Sequence, residues 1–409
     1  MRVLLVNAFH YLRGGVERTY LDESRWLTAA GHDVIHFATR DPRNLPSPTE
    51  RFFAPPADFG EGAAASRQLE QLPRAIWSAP AARAIEALLA EHRPDVAHLH
   101  APSRYLTPSI LPPLARARVP VVMTLHDFKP WCTNRILFAH GAPCERCRGG
   151  RHWHAFATAC VQESRAKSAI GTIEAYAHQA LDVYRSVERW IAPSAFVMAK
   201  AVEHGVPADR LRPLAHGVER PAVAGATNGV AGASEPFVLY AGRLSVEKGV
   251  RQLPAIAMRV APVPLLVVGD GPLAAWLAGA AATQPNLRLL GRIPDVSLAA
   301  LRRAAGAVIV PSLFYEHFCY AAAEALAEAR PVIAARIGAI PELVEHEATG
   351  LLVPPGDPHA IAEAVRRAMT DPAAKSWGEA GRAHVASLAD PARHVAGLVA
   401  VYREVTEQS

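Results

Sequence analysis

Two carboxylates, Glu316 and Glu324, lie eight positions apart in the mostly apolar segment FYEHFCYAAAEAL, residues 314–326. The alanines and Leu326 are good helix formers, so the segment predicts a helix that begins near Phe318. Glu316 would then lie in the loop before the helix, and Glu324 about two turns inside it. One interpretation is a functional pair of carboxylates. The other is one acid stabilised by the helix dipole and one solvated acid, and this segment alone leaves both open.

Two cations and a glycine turn fall where predicted strands end. The strand FVLYAGR ends in Arg243, and Lys248 follows five residues later. A forked guanidinium and a compact ammonium at one strand end suit a diphosphate, although two ordinary surface cations are the alternative. Gly269, in the turn VVGDGP, permits close approach of the backbone to a ligand. The helix start at Phe318 and Cys319 offers N–H groups to an anion, so these features predict a diphosphate site.

The first half of the chain has weaker signals. Gly14 and Gly15 follow the first strand and open a helix, where the backbone of such a fold approaches a ligand. They do not form a GxGxxG motif. His98, His100 and His126 end two strands, and a histidine at such a position is often a structural residue. His126, which an aspartate follows, is the candidate catalytic residue among the three.

Both halves repeat one pattern of strands alternating with helices. Continuous apolar runs such as RVLLVNAF, VPVVMTLHD, PVPLLVVGDGP and GAVIVPSLF predict parallel sheets covered on both faces. The fold class is therefore α/β, with two Rossmann-like, doubly wound domains that face a cleft. The predicted ranges are 1–218 and 237–385, joined by a linker rich in glycine, alanine and proline at 219–236. The closing helix, 386–409, could pack on its own domain or cross back to the first.

The composition is that of a globular protein with large apolar cores. Of the 409 residues 50% are apolar and 20% charged, and no apolar run is long enough to span a bilayer. The start MRVLLVNAF indicates a first strand, not a signal peptide, so we expect a cytoplasmic protein. The whole net charge of +5 lies in the first 205 residues. Without a basic run or interleaved aromatic residues this excess does not indicate nucleic acid; phosphorylated small molecules, an anionic membrane surface and plain solvation stay open.

Four segments in this order are specific as a set: YAGRLSVEKG, VVGDGP, PSLFYEHFCYAAAEALAEARPVIA and GAIPELVEHEATGLLVPPGD. With them the whole chain resembles the retaining glycosyltransferases of family 4, which have two Rossmann-like domains in the GT-B architecture. The resemblance implies that a nucleoside-diphosphate sugar, such as a UDP- or GDP-sugar, binds mainly the second domain. The acceptor would bind the first domain.

The resemblance also implies roles for single residues. Arg243 and Lys248 would hold the diphosphate, Glu316 would reach hydroxyls of the donor sugar, and Glu324 would hold the ribose hydroxyls. His126 would lie beside the sugar at the reaction centre. The glycine pair at 14 and 15 would approach the phosphate or the acceptor.

The resemblance implies retaining transfer without a carboxylate nucleophile, because the leaving diphosphate oxygen can accept the proton of the acceptor. Catalysis then rests on positioning and charge stabilisation. The sequence has no DxD-like pair in the predicted donor site, so we expect no catalytic metal. His317 and Cys319 depart from the family, which usually has a small residue at both positions. A cysteine at a helix start can have a lowered thiol pKa, although simple packing is the alternative.

The acceptor is less defined than the donor. Residues 67–95 mix arginines with Leu, Ile and Trp77, which suits docking on an anionic bilayer. A saccharide or a polyprenyl-linked saccharide, such as an undecaprenyl-linked one in polysaccharide assembly, is the favoured acceptor; ordinary surface helices are the alternative for 67–95. A non-catalytic nucleotide-sugar binder, a phosphorylase and an epimerase are the competing functions on this architecture.

Four of the five cysteines, Cys132, Cys144, Cys147 and Cys160, lie in a segment of about 131–162 that the family core does not require. The C-x-x-C spacing of the central two is that of a metal knuckle, and four thiolates can close a structural zinc site. An iron–sulfur cluster or reduced thiols are the alternatives, because disulfides are disfavoured in the cytoplasm. His140, His152 and His154 are possible substitutes for one cysteine.

Overall fold

A computed structural model describes residues 1–56, 73–102, 104–220 and 236–407. The chain forms two compact units. The first unit comprises Met1–Leu137, Glu145–His216 and Pro391–Ser409, and the second comprises Phe138–Cys144 and Gly217–Asp390. Most of the predicted linker, 221–235, lies outside the described residues.

The strands are β1 (Arg2–Val6), β2 (Asp33–Phe37), β3 (Val96–Leu99), β4 (Val121–Thr124), β5 (Phe138–Ala139), β6 (Ala142–Pro143), β7 (Val187–Ala192), β8 (Leu211–Pro213), β9 (Val238–Ala241), β10 (Leu265–Val268), β11 (Leu287–Gly291), β12 (Ala307–Val310), β13 (Val332–Ala335) and β14 (Gly350–Val353). The helices are α1 (Gly15–Ala29), α2 (Ala79–His92), α3 (Leu111–Arg116), α4 (Trp153–Ala157), α5 (Arg165–Ala180), α6 (Ala195–Glu203), α7 (Leu253–Val260), α8 (Ala274–Ala281), α9 (Asp295–Ala304), α10 (Tyr320–Ala327), α11 (Ile340–Leu343), α12 (Pro358–Thr370), α13 (Ala373–Leu388) and α14 (Pro391–Glu407).

Each unit is built on a six-stranded parallel sheet. The strand order is β2-β1-β3-β4-β7-β8 in the first unit and β11-β10-β9-β12-β13-β14 in the second. In both sheets the order reverses beside the first strand of the unit, which is the doubly wound arrangement. The predicted fold class of two Rossmann-like α/β domains is thereby confirmed.

Both faces of the first sheet are buried, which explains its continuous apolar strands. Leu4 and Val6 of β1 pack into one core with α2, whereas Val3 and Leu5 pack into the core on the opposite face. Because successive side chains of a strand point to opposite faces, every position of such a strand must be apolar. Each fully buried Leu or Val side chain stabilises the fold by roughly 1.5–3 kcal/mol.

The last helix, α14, covers the second of these faces and belongs to the first unit. Its Leu398, Val401 and Tyr402 lie in the same core as Val3 and Leu5. Ion pairs of Glu404 with Arg189 and Arg212 fasten its carboxyl end. The hydrogen bonds from these arginines lower the pKa of Glu404 to about 2.

Helix α10 begins at Tyr320, two residues later than the sequence predicts. Cys319 precedes it with a φ of 67°, in the left-handed region, and a residue in that conformation cannot continue a right-handed helix. Glu324 therefore lies little more than one turn inside the helix, not two. In the described part of the chain, no helix is both long and apolar enough to cross a membrane.

Candidate functional site

The loops that follow β9 and β10 pack against each other through their backbones. Gly242 N donates to Val268 O at 3.0 Å, and Leu244 N donates to Asp270 O at 2.9 Å. Gly269 has a φ of 139°, and a Cβ there would lie 1.9 Å from Gly242 O. Glycine is thus required at 269 by contact between the two loops, so its presence does not by itself indicate a ligand.

Lys248 and Glu316 meet at the carboxyl edge of the second sheet. Lys248 Nζ donates to both carboxylate oxygens of Glu316, at 2.8 and 3.0 Å, and Ser312 Oγ donates to Oε1 at 2.6 Å. The side chain of Glu316 is 7% exposed and that of Lys248 30%. Burial alone would lower the pKa of Lys248, but the charge of Glu316 outweighs it and the pKa is raised. The pair is therefore charged, and its ammonium still reaches solvent.

Arg243 follows β9 on the same side of the sheet. Its side chain is exposed, and its guanidinium has no ion pair or hydrogen bond with a described residue. Its backbone carbonyl accepts a hydrogen bond from the hydroxyl of Tyr240 at 2.9 Å. The backbone position of Arg243 is therefore held, while its charged group is available to an anion.

Phe318 and Cys319 are the two buried residues that directly precede α10. Both are buried, at 4% and 6% exposure. Burial, and then the charge of Glu316, raise the pKa of the Cys319 thiol above its ordinary value. The interpretation of Cys319 as a low-pKa thiol is therefore wrong, and the packing interpretation holds.

Glu324 forms an ion pair with Arg302, which lies on α9. The Arg302 side chain is 4% exposed and that of Glu324 12%, and in the described structure Arg302 Nε has no hydrogen-bond partner. Arg302 was not predicted as a site residue, because no local sequence pattern marks a buried arginine on an amphipathic helix. One oxygen of the Glu324 carboxylate is thus already engaged in an ion pair within the protein.

Replacing Glu324 by glutamine should weaken nucleoside-diphosphate binding about tenfold, if this carboxylate also holds the ribose. A neutral amide makes weaker hydrogen bonds than a carboxylate. It also leaves Arg302 uncompensated, so the melting temperature should fall. Calorimetry well below that temperature measures the affinity. Glu328→Gln, in the C-cap residue that follows α10 and pairs with Arg303, is the matched control and should leave the affinity unchanged. An equal loss in both variants would contradict the ribose role.

Five histidines and one glutamate form a polar cluster in the first unit, in which His126 is partly exposed and the other members are buried. His100 Nδ1 and His126 Nε2 are 2.9 Å apart, and the ring of His126 stacks on that of His216 with centroids 5.1 Å apart. Glu23 Oε2 lies 3.4 Å from His98 Nδ1 and 3.4 Å from His100 Nε2. Glu23 Oε1 is 2.9 Å from His394 Nε2. The structure therefore brings together the three histidines singled out by the sequence.

Glu23, His216 and His394 were missed by the sequence analysis. Glu23 lies three residues after Tyr20 and four before Leu27, and both of these are fully buried. This helical spacing places Glu23 on the buried face of α1, which is the signal that would have identified it. His394 lies 371 positions away in α14, and no local pattern connects the two.

Gly14 and Gly15 lie at the exposed start of α1. Gly14 is extended, with a φ of −166°, and a Cβ there would meet Glu17 Oε2 at an ordinary 3.6 Å. The protein's own packing therefore does not require glycine at 14. Its predicted approach to a phosphate or an acceptor stays a prediction.

All five cysteines lie among the described residues, and none is in a disulfide. Cys144 belongs to the second unit, whereas Cys132, Cys147 and Cys160 belong to the first. Among the described residues, the potential metal-ligand group whose ligand atoms lie within 4.8 Å of one another consists of Glu23, His98 and His100. It contains no cysteine. Burial raises the pKa of Cys132 to about 11, and its thiol donates to Asn134 Oδ1 at 2.9 Å.

The three first-unit thiols as placed do not form a ligand group, so the zinc site stays a prediction. Metal analysis of protein purified without chelator should find about one zinc per chain. The Cys144→Ser/Cys147→Ser variant should lose it, and Cys319→Ser should retain it as the control. Colourless, metal-free protein whose thiols all titrate freely would exclude the site.

The segment proposed for membrane docking, residues 67–95, is described from 73 onward. Its helix α2 turns Ile85, Leu88 and Leu89 into the core of the first unit. These apolar side chains stabilise the sheet, so in this arrangement they are not available to a bilayer.

Two family models match the chain in succession. The model described as Glycosyltransferase Family 4 matches residues 13–220, and the model described as Glycosyl transferases group 1 matches residues 235–371.

Curated relatives match shorter stretches. Glycogen synthase of Mycobacterium tuberculosis is 34% identical over 165 residues, which is 36% of this chain and 40% of the relative. A GDP-mannose-dependent alpha-mannosyltransferase of the same species is 35% identical over 190 residues, 45% of this chain and 48% of the relative. The chain thus covers less than half the length of these relatives.

Solved structures match over the full length. Sucrose-phosphate synthase from Thermosynechococcus elongatus has a TM-score of 0.72 at 22% identity, covering 100% of both chains. Anabaena Alr3699/HepE in complex with UDP and glucose has a TM-score of 0.68 at 18% identity, covering 99% of this chain and 100% of that one. At such identities the likeness shows the fold, and it confirms the predicted GT-B architecture.

Proposed function

Because the chain belongs to glycosyltransferase family 4, we propose that it is a retaining glycosyltransferase of the hexosyltransferase type. It transfers a sugar from a nucleoside-diphosphate sugar to a saccharide or lipid-linked saccharide acceptor in polysaccharide or glycolipid assembly. The observation that carries the proposal is the buried Glu316 carboxylate, held by Lys248 and Ser312 beside the start of α10.

The cluster has the chemistry that this transfer needs. An ammonium has three N–H donors, so Lys248 can contact Glu316 and a phosphate oxygen together. The diphosphate gains negative charge as the sugar leaves, and a preorganised cation stabilises that charge. The carboxylate of Glu316 accepts hydrogen bonds, which suits the hydroxyls of a sugar. The acceptor's proton goes to the leaving phosphate oxygen, so no step of this proposal needs a metal.

The named relatives indicate which donors to test first. One is a GDP-mannose-dependent mannosyltransferase, and one solved structure holds UDP and glucose. A thermal-shift screen of UDP- and GDP-sugars with the purified chain identifies base and sugar together. Transfer to a polyprenyl-linked saccharide, with the α configuration retained, then distinguishes an enzyme from a nucleotide-sugar binder. A cytoplasmic protein at the periphery of the membrane stays the predicted location.

Lys248→Ala and Arg243→Ala should each weaken binding of the nucleoside diphosphate by about tenfold to a hundredfold. Each change removes a charge-assisted contact, which is worth roughly 1.5–3 kcal/mol. Calorimetry with UDP and GDP measures the loss. Arg251→Ala is the matched control, because Arg251 is an exposed cation three residues beyond Lys248. Unchanged affinity in both site variants would exclude the assignment of the donor site.

A further inference from the structure

A buried chain of polar contacts connects the last helix to the candidate catalytic histidine. His394 of α14 contacts one oxygen of Glu23, the other oxygen of Glu23 faces His100 Nε2, and His100 Nδ1 contacts His126 Nε2. Glu23 is 0% exposed and His100 1%. Glu23 Oε2 and His100 Nε2 are both buried without a hydrogen-bond partner among the described residues.

The contacts of His394 define its protonation. Its Nδ1 lies 2.7 Å from the carbonyl oxygen of Ala215, and its Nε2 lies 2.9 Å from Glu23 Oε1. Both partners are acceptors, so both ring nitrogens carry a proton and the imidazole is positively charged. Glu23 is thus the carboxylate of a buried ion pair, and its second oxygen presents negative charge to His100.

The position of one proton on His100 follows from this charge. Nε2 of His100 and Oε2 of Glu23 are 3.4 Å apart without hydrogen-bond geometry. A lone pair on Nε2 would be repelled by the charge of the nearby carboxylate, so Nε2 of His100 carries the proton. Burial lowers the pKa of His100 well below its ordinary value, so the ring is neutral and Nδ1 is an acceptor. The contact of 2.9 Å then requires an N–H at His126 Nε2.

We infer that Glu23, acting through His100, holds His126 in the tautomer protonated at Nε2. Glu23 and His100 are positioning residues, and Nδ1 of His126 is left as the acceptor of its ring. His126 and Asp127 line a small pocket of the first unit, together with Thr124 and Lys129. The kinetic consequence of this inference rests on the proposed function, but the tautomer does not.

Nitrogen-15 NMR of histidine-labelled protein tests the tautomer directly, without any substrate. In the unaltered protein at neutral pH, His126 should show the Nε2–H pattern and His394 the doubly protonated pattern. The variant His126→Gln assigns the first signal, and His394→Gln the second.

The double variant Glu23→Met/His394→Leu removes the ion pair while leaving no orphan charge. His126 should then populate both tautomers instead of one, because nothing directs the proton of His100. Asp22→Asn, a change in the neighbouring residue of α1, is the matched control and should leave the signal of His126 unchanged. If the double variant does not fold, the spectrum of the unaltered protein still decides.

Three outcomes would overturn the inference: His126 protonated at Nδ1 in the unaltered protein, a single unchanged tautomer in the folded double variant, or a divalent metal bound by Glu23, His98 and His100. If the protein is active, the double variant should lower kcat at least tenfold with little change in the donor KM. Absence of transfer in the unaltered protein would contradict the proposed function and leave the tautomer result standing.

Discussion

Glu316→Gln is expected to lower turnover by at least about a hundredfold while leaving the affinity for free nucleoside diphosphate nearly unchanged. Glu316 should contact only the donor sugar, so an effect confined to the sugar-transfer step is the signature of its role. In the present structure its charge also balances Lys248, and glutamine would leave that ammonium more available to a diphosphate. We therefore expect nucleotide affinity to stay the same or to increase slightly.

Steady-state kinetics with the identified donor, together with calorimetry of UDP or GDP, measures the two effects separately. Ser312→Ala removes the second contact of Glu316 and should have a smaller effect in the same direction. Glu347→Gln, a change in an exposed glutamate of the second unit, is the control that should alter neither quantity. A large loss of nucleotide affinity in Glu316→Gln, with turnover intact, would show that the roles of Glu316 and Glu324 are exchanged.

The first unit should lose stability steeply as the pH falls below about 6.5. Burial lowers the pKa of His10 to about 4 and that of His36 and His98 to about 3, and it lowers the pKa of His100 well below its usual range. These rings are neutral when folded but gain protons when unfolded. The stability that they confer is therefore complete above their unfolded pKa and is lost as the pH falls towards the folded values.

As the pH falls, the free energy of unfolding should decrease by up to about 1.4 kcal/mol per pH unit for each of these histidines. Urea unfolding at pH 7.5, 6.5 and 5.5, followed by tryptophan fluorescence, measures it. His36→Asn should reduce the slope by about one histidine's share, whereas His359→Gln, in an exposed residue, should not. A free energy of unfolding that is flat over this range would contradict the neutral buried state.

His394 contributes to the pH dependence of stability with the opposite sign. Burial would lower its pKa, but the hydrogen bond that His394 donates to Glu23 and the charge of Glu23 outweigh burial and raise the pKa above the ordinary value. The stabilisation from this pair is complete below the unfolded pKa of histidine. It is lost as the pH rises through the raised folded pKa, on the neutral to alkaline side.

Much of the fold followed from local sequence. Continuous apolar runs such as those of β1 and β10 require burial on both faces, and that requirement leads to parallel sheets with helices on each side. The residues at strand ends, among them Arg243, Lys248 and Gly269, could then be assigned to the carboxyl edge of one sheet. Local rules were less reliable at the start of α10, where the left-handed Cys319 delays the helix by two residues.

The type of fold and the residues at the strand ends were predictable from local sequence, because both depend on periodicity over neighbouring positions. The pairing of polar groups was not predictable in this way, because it joins residues that are distant in the chain. Lys248 meets Glu316 across 68 positions, Tyr402 meets His98 across 304, and Glu23 meets His394 across 371. Such pairs depend on the order of strands and on the face that α14 covers. A carboxylate placed on the buried side of a helix therefore acquires its chemistry only when the distant partner is packed against it.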